Sequence, residues 1–168
     1  MSPGQGASVP PSKIDWAVAP KIGVGPLRLG MSPEEVAAIL GEPVKRIEKA
    51  KGFLEFRETI PSKLPVLLFE AGKLVMIDFV KQTRSLRLDD LYLFKLKRQE
   101  TIDALTERAT TVFEDFEGYH FLDFGLSMSS AKNFRSEANI GLTKPRYFEK
   151  LRQRQLDGGR GRYVKGGA

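Results

Sequence analysis

KIGVGPLRLGMSPEEVAAILGEP, residues 21–43, decides how the rest of the chain is read. Four glycines, with Pro26 and Pro43, bracket one short helix-like run. Such a stretch either cradles a phosphate or frames a capped helix. A dinucleotide fingerprint would place glycine at 23, 25 and 28, but position 28 is Arg. A P-loop would run Gly-Lys-Ser/Thr into the helix, where this chain has Gly30-Met31-Ser32-Pro33. Pro26 removes a backbone donor that an anion cradle needs, and Glu34 and Glu35 would repel an anion while suiting the helix dipole. The stretch therefore reads as a frame. Ser32 caps a helix over 32–40, Pro33 suits its first position and Glu35 completes an S-x-x-E capping box. Val36, Ile39 and Leu40 form its buried stripe, and Gly41-Glu42-Pro43 stops it.

Working outward, strand-like runs occupy 44–48, 53–60, 65–70 and 74–80, and the last two flank a hairpin signal at Glu70-Ala71-Gly72-Lys73. A second helix is expected over about 98–113, with Ile102, Leu105, Ala109 and Val112 on one face. Further strands are expected over 118–129 and 137–142, and a short amphipathic helix over 145–156 that buries Tyr147, Phe148 and Leu151. The pattern predicts an α+β fold, an antiparallel sheet with helices packed on one face. Residues 1–12 and 157–168 read as a disordered start and a disordered basic tail around a single domain, 13–156. The halves 22–80 and 90–143 resemble each other: LGMSPEEVAAIL (29–40) lies over FKLKRQETIDAL (94–105), and GFLEF (52–56) near GYHFLDF (118–124). A true repeat would make two helix-plus-strands units sharing one sheet; a chance coincidence of apolar residues is the alternative.

With 168 residues the chain buries a core without disulfides or metal, and no cysteine is present to supply thiolate chemistry. A single histidine, His120, rules out a multi-histidine metal site. The start MSPGQGASVPPSK lacks a signal peptide's basic head and apolar core, so a cytoplasmic protein is expected. The net charge of +6 is local. Residues 144–168 carry eight basic and two acidic side chains, while residues 1–143 hold nineteen of each. Nucleic-acid binding through Arg146, Lys150, Arg152, Arg154, Arg160 and Arg162 is the functional reading of that end; a solvated tail is the plain one.

Chemistry has few candidates. His120 sits among Glu114, Asp115, Glu117 and Asp123, and a continuous strand would align it with Leu122, Phe124, Leu126 and Met128. That apolar face favours a packed, hydrogen-bonded core histidine over an acid–base catalyst. The surrounding carboxylates suggest a divalent-cation enzyme only weakly, since no EF-hand spacing appears. No G-x-S-x-G elbow marks a serine nucleophile. No catalytic residue, cofactor or metal site is expected, which points away from an enzyme.

The strand faces say more. Leu54, Phe56, Leu67, Phe69, Val75, Ile77 and Phe79 form an apolar face suited to the helices. The opposite face would carry Phe53, Glu55 and Arg57, then Leu68, Glu70, Met76 and Asp78, and from the second half Tyr119, Phe121 and Asp123. Aromatics, Met and isolated charges on one surface have the composition of a protein–protein interface. Cover by residues 80–93, by the C-terminal helix or by a second copy is the structural alternative.

Gly25-Pro26-Leu27-Arg28-Leu29-Gly30-Met31-Ser32, then Glu35-Val36, then Leu40-Gly41-Glu42-Pro43, resembles the helix-plus-strands repeat of the β-lactamase-inhibitor-protein-like fold, which also includes outer-membrane assembly lipoproteins. The likeness is greatest to bacterial cytoplasmic relatives, some of them of the immunity type. It covers about twenty residues strongly. The chain has neither the lipoproteins' acylated cysteine nor the secreted inhibitors' disulfides. What the resemblance implies is a scaffold that presents a concave sheet to another protein, and it carries over no catalytic residue.

Overall fold

In the computed structural model, which describes residues 10, 13–50, 52–57, 64–81, 83–129 and 139–167 apart from the Leu151 side chain, the glycine-rich stretch forms a small antiparallel sheet. Its strands are β1 (Val18–Ala19), β2 (Gly23–Val24) and β3 (Leu27–Arg28). Glycine is needed twice here. A β-carbon on Gly23 would run into the Leu27 carbonyl, and Gly25 has a φ of +56° with the Asp15 carbonyl 2.9 Å from where its β-carbon would lie. The donors an anion would want are already used. Gly30 donates its N–H to the Leu74 carbonyl, and the Ser32 N–H goes to Glu35 Oε2. Helix α1 (Pro33–Leu40) follows, with both arms of the capping box formed around Ser32 and Glu35.

After α1 come four antiparallel strands, β4 (Lys45–Ala50), β5 (Phe53–Arg57), β6 (Val66–Glu70) and β7 (Lys73–Phe79). The β6–β7 turn has positive φ at both Ala71 and Gly72, the geometry that matches strand twist. The chain then repeats the order of elements. A hairpin of β8 (Arg87–Leu88) and β9 (Leu91–Tyr92) leads to helix α2 (Arg98–Arg108). Strands β10 (Val112–Glu114), β11 (Gly118–Phe121), β12 (Leu126–Ser129) and β13 (Ile140–Thr143) complete the second half. The last strands of the two halves pair antiparallel, Phe79 with Ile140 through Met76 with Thr143. That pairing is what a local twofold axis through the sheet produces.

Three boundaries differ from the sequence reading. Helix α2 ends at Arg108 rather than near 113, because Thr110, Thr111 and Val112 favour extended backbone and Asp123 accepts the N–H groups of Thr110 and Thr111. The run 118–129 is two strands separated by a turn at 122–125. Residues 157–168 were expected to be loose. Instead α3 (Pro145–Asp157) leads through Gly158 and Gly159 into β14 (Arg162–Lys165), which pairs with β10 at the sheet edge. The expectations for residues 1–9, 11, 12, 58–60, 137, 138 and 168, and for the Leu151 side chain, lie outside the described residues.

The nine-stranded sheet has the order β14-β10-β11-β12-β13-β7-β6-β5-β4. One cross-sheet row, Val112, Phe121, Leu126, Leu142, Ile77, Leu67 and Phe56, is buried throughout and faces α1 and α2 through Val36, Ile102 and Leu105. Trp16 closes that core edge-on against Phe79, with ring centroids 5.2 Å apart. Val75, expected in this row, is the extra residue of a β-bulge between the Leu68–Met76 and Phe69–Leu74 pairs; it is buried, yet it lies outside the main core cluster. At the far edge, β4 exposes Lys45, Arg46, Glu48 and Lys49, charges that discourage edge-to-edge pairing.

Candidate functional site

The site follows from strand parity. Phe121 is fully buried in the core row, so its neighbour His120 points to the opposite face, in line with Phe113, Ser127, Gly141 and Asp78. Tyr119 and Phe121, expected on that outer face, therefore belong to the core side, with Tyr119 packed against the core cluster. Asp123 is not on a sheet face at all: it sits in the 122–125 turn and holds Thr110 and Thr111. The physical reason is the turn itself. Gly125 there has a φ of +70°, and alternation carried through it from Met128 back to His120 changes sign.

In the first half the bulge at Val75 leaves the face of the residues beyond it unchanged from Met76 to Phe79. Phe53, Glu55, Arg57, Leu68, Met76 and Asp78 share the outer face, by pairs such as Phe53–Glu70, Glu55–Leu68 and Leu68–Met76. Glu55 is only 6% exposed and is bracketed by Arg57 at 2.8 Å and Lys49 at 3.1 Å. Asp78 receives a hydrogen bond from Asn139 Nδ2 at 3.2 Å. Burial pushes its carboxyl up to about 6, against the opposing pull of Asn139 and Arg57.

Helix α3 crosses the outer face of the second half. Phe148 lies edge-on to His120 with ring centroids 5.7 Å apart, and Gln155 is buried near Phe113 and Gly161. The helix and the sheet enclose a cleft of about 810 Å³. Met76, Phe116, Tyr147 and Phe148 give it apolar walls, and Asp78, Asn139, Ser127 and His120 reach it from the sheet. A concave, mostly apolar space with a few convergent polar groups has the form of a ligand site.

The histidine at its base has a polar neighbour at each ring nitrogen. His120 Nδ1 lies 2.7 Å from Ser127 Oγ, and Nε2 lies 3.0 Å from Asp115 Oδ1. The second contact is out of line, so it orients the ring electrostatically rather than as a straight hydrogen bond. Burial works to raise the Asp115 carboxyl, but His120 and the N–H groups of Glu117 and Gly118 outweigh it and hold the group low. The acidic residues near His120 do not converge: Glu114 pairs with Arg162, Asp115 turns to His120, and Asp123 caps the threonines. Sequence reading had no signal for Ser127, because cross-strand register alone brings it to His120.

The basic residues of the C-terminal segment are dispersed. Arg146 pairs with Glu70 and Arg162 with Glu114, both at 2.8 Å, while Lys150 and Arg154 line the cleft. No described helix is long and apolar enough to cross a membrane.

No family description, curated protein or solved structure matches this chain. Its geometry has to speak for it.

Proposed function

We propose that the chain is a protein-binding module whose open sheet face, β4 to β7, receives a helix from another protein. One observation carries this reading. The outer face of the second half is covered by α3, while no described helix covers the matching face of the first half. The two halves have the same order of elements and meet through their last strands, so α3 shows how a helix sits on such a surface. Phe53 and Leu68 offer half-buried apolar anchors there, Glu55, Arg57 and Lys49 supply orienting charge, and Met76 and Asp78 lie where this face runs into the cleft under α3.

A cytoplasmic immunity protein that neutralises a toxin by occluding it is the role that fits this surface and the likeness of residues 25–43 to the β-lactamase-inhibitor-protein-like repeat. The test is affinity capture from the native host with the intact chain, set beside a Phe53→Glu, Leu68→Glu double variant. Both positions are partly exposed on the outer face, and circular dichroism of the variant checks that the fold is kept. A captured protein that the variant fails to retain supports the reading, and one retained equally by both overturns it. Nucleic-acid binding is less well supported, because the acidic partners of Arg146 and Arg162 already neutralise two of its six basic residues.

A further inference from the structure

Beyond binding, the geometry points to Ser127 as the nucleophile of an acyl-transfer site that cleaves small carboxylic esters in the cleft under α3. Three side chains stand one after another from the protein interior to that cleft, the inner contact bent and the outer one a hydrogen bond. Asp115, with a side chain fully removed from solvent, accepts N–H groups from Glu117 and Gly118, which fixes its carboxylate. His120 Nε2 lies 3.0 Å from that carboxylate in a bent contact, and the negative charge beside it favours the ring proton on Nε2. Nδ1 is then left as an acceptor, 2.7 Å from Ser127 Oγ, and the hydroxyl proton points at it. Nucleophile, base and orienting acid thus stand in the order that acyl-transfer sites use on unrelated folds. Here the imidazole nitrogens exchange roles relative to the serine proteases, with Nδ1 toward serine.

Ser127 and His120 both reach the cleft, whose volume of about 810 Å³ suits a small organic substrate. Tyr147 lines the same space, and its buried hydroxyl has no hydrogen-bond partner among the described residues. An unsatisfied donor of that kind is costly unless something occupies it, and a developing oxyanion is a suitable acceptor. Met76, Phe116 and Phe148 select for an apolar group on the ester.

In the reaction, Ser127 Oγ bonds to the carbonyl carbon as His120 Nδ1 takes its proton. Collapse of the tetrahedral adduct breaks the ester C–O bond, and the departing alkoxide takes that proton from Nδ1. Water then repeats the sequence on the acyl-serine, releasing the carboxylic acid and restoring Ser127.

A fluorophosphonate probe tests this directly, since a Ser–P bond forms, the P–F bond breaks and no partner protein is involved. The expected result is one adduct per chain, mapped to Ser127 by peptide mass spectrometry and absent in Ser127→Ala. His120→Asn should slow labelling at least a hundredfold, and hydrolysis of p-nitrophenyl butyrate should fall in parallel. Asp115→Asn keeps a carbonyl to accept the turn N–H groups and should also slow labelling, by about a hundredfold or more. It serves as the second variant if His120→Asn unfolds, with circular dichroism and Trp16 fluorescence as the folding control. An unmodified Ser127 in the folded wild-type chain under excess probe, or labelling as fast in a folded His120→Asn or Asp115→Asn variant as in wild type, overturns the proposal. Loss of partner capture in a Phe53→Glu, Leu68→Glu variant, whose two positions lie outside the cleft, with labelling intact would separate this site from the binding face.

Discussion

Gly141 on β13 lies directly opposite Asp78 on β7, and a β-carbon at position 141 would sit 3.2 Å from Asp78 Oδ1. The absent side chain makes room for a carboxylate where the two halves of the sheet join. Replacing glycine by alanine in a strand ordinarily gains about 0.5–1 kcal/mol of backbone entropy. At Gly141 that gain should be cancelled by contact with Asp78, and it should return in an Asp78→Ala background. Denaturant unfolding of the four-variant cycle reads the coupling, expected at about 1 kcal/mol. A coupling near zero would place the carboxylate elsewhere.

Asp78 also sets a pH dependence. Its carboxyl, raised to about 6 by burial, binds its proton more tightly folded than unfolded. Its contribution is therefore most favourable below about pH 4 and is lost as pH rises towards 6. Asp78→Asn should stabilise the protein at pH 7 by about 2–3 kcal/mol and shrink to little near pH 4. Urea midpoints at the two pH values check this, and an equal gain at both would remove the titration from the account.

The edge strand depends on Gly161. A β-carbon there would strike the Phe113 ring, which is itself held edge-on against Tyr163 at 5.5 Å. Gly161→Ala should cost about 1–3 kcal/mol by overpacking. Amide hydrogen exchange should speed up in 112–114 and 162–165 while α1 stays protected. Unchanged exchange in β14 would contradict the close packing.

The two helix starts differ in one respect. Ser32 accepts the Glu35 N–H and completes its box, whereas Lys97 has no acceptor, so only the Glu100 carboxylate to Lys97 N–H arm forms at α2. Ser32→Ala should cost about 1 kcal/mol, and Lys97→Ser should gain a comparable amount. Thermal unfolding of both variants decides it: a Lys97→Ser chain that melts below wild type would show the lysine to be doing something other than capping.

Much of the first half was legible because its signals are local. Ser32, Glu35 and Gly41 bound α1 within one stretch, and Ala71-Gly72 fixes a hairpin by backbone torsion alone. Alternation within β5, β6 and β7 put Glu55, Leu68, Met76 and Asp78 on one face. Val75 escaped because a bulge looks like ordinary alternation until the partner strand is known. The second half was less legible. The turn at 122–125 resets parity, so Tyr119 and Phe121 were placed on the wrong side. Strands of two residues, such as β8 and β9, are too short to show any period. In β14 a glycine-rich surrounding hid a strand whose support comes from β10.

The sequence by itself determined the α+β class, the capped first helix, the glycine frame that excludes a phosphate loop, and the mixed face of β5 to β7. Each rests on interactions between residues a few positions apart, where chain geometry leaves little choice. Only the tertiary structure decided that α3 crosses the outer face, that Asp78 is buried beside Gly141, and that Ser127, His120 and Asp115 stand in a row. Those depend on strand register and on which surfaces find each other, and both are settled by burying apolar area across the whole sheet rather than by any local preference.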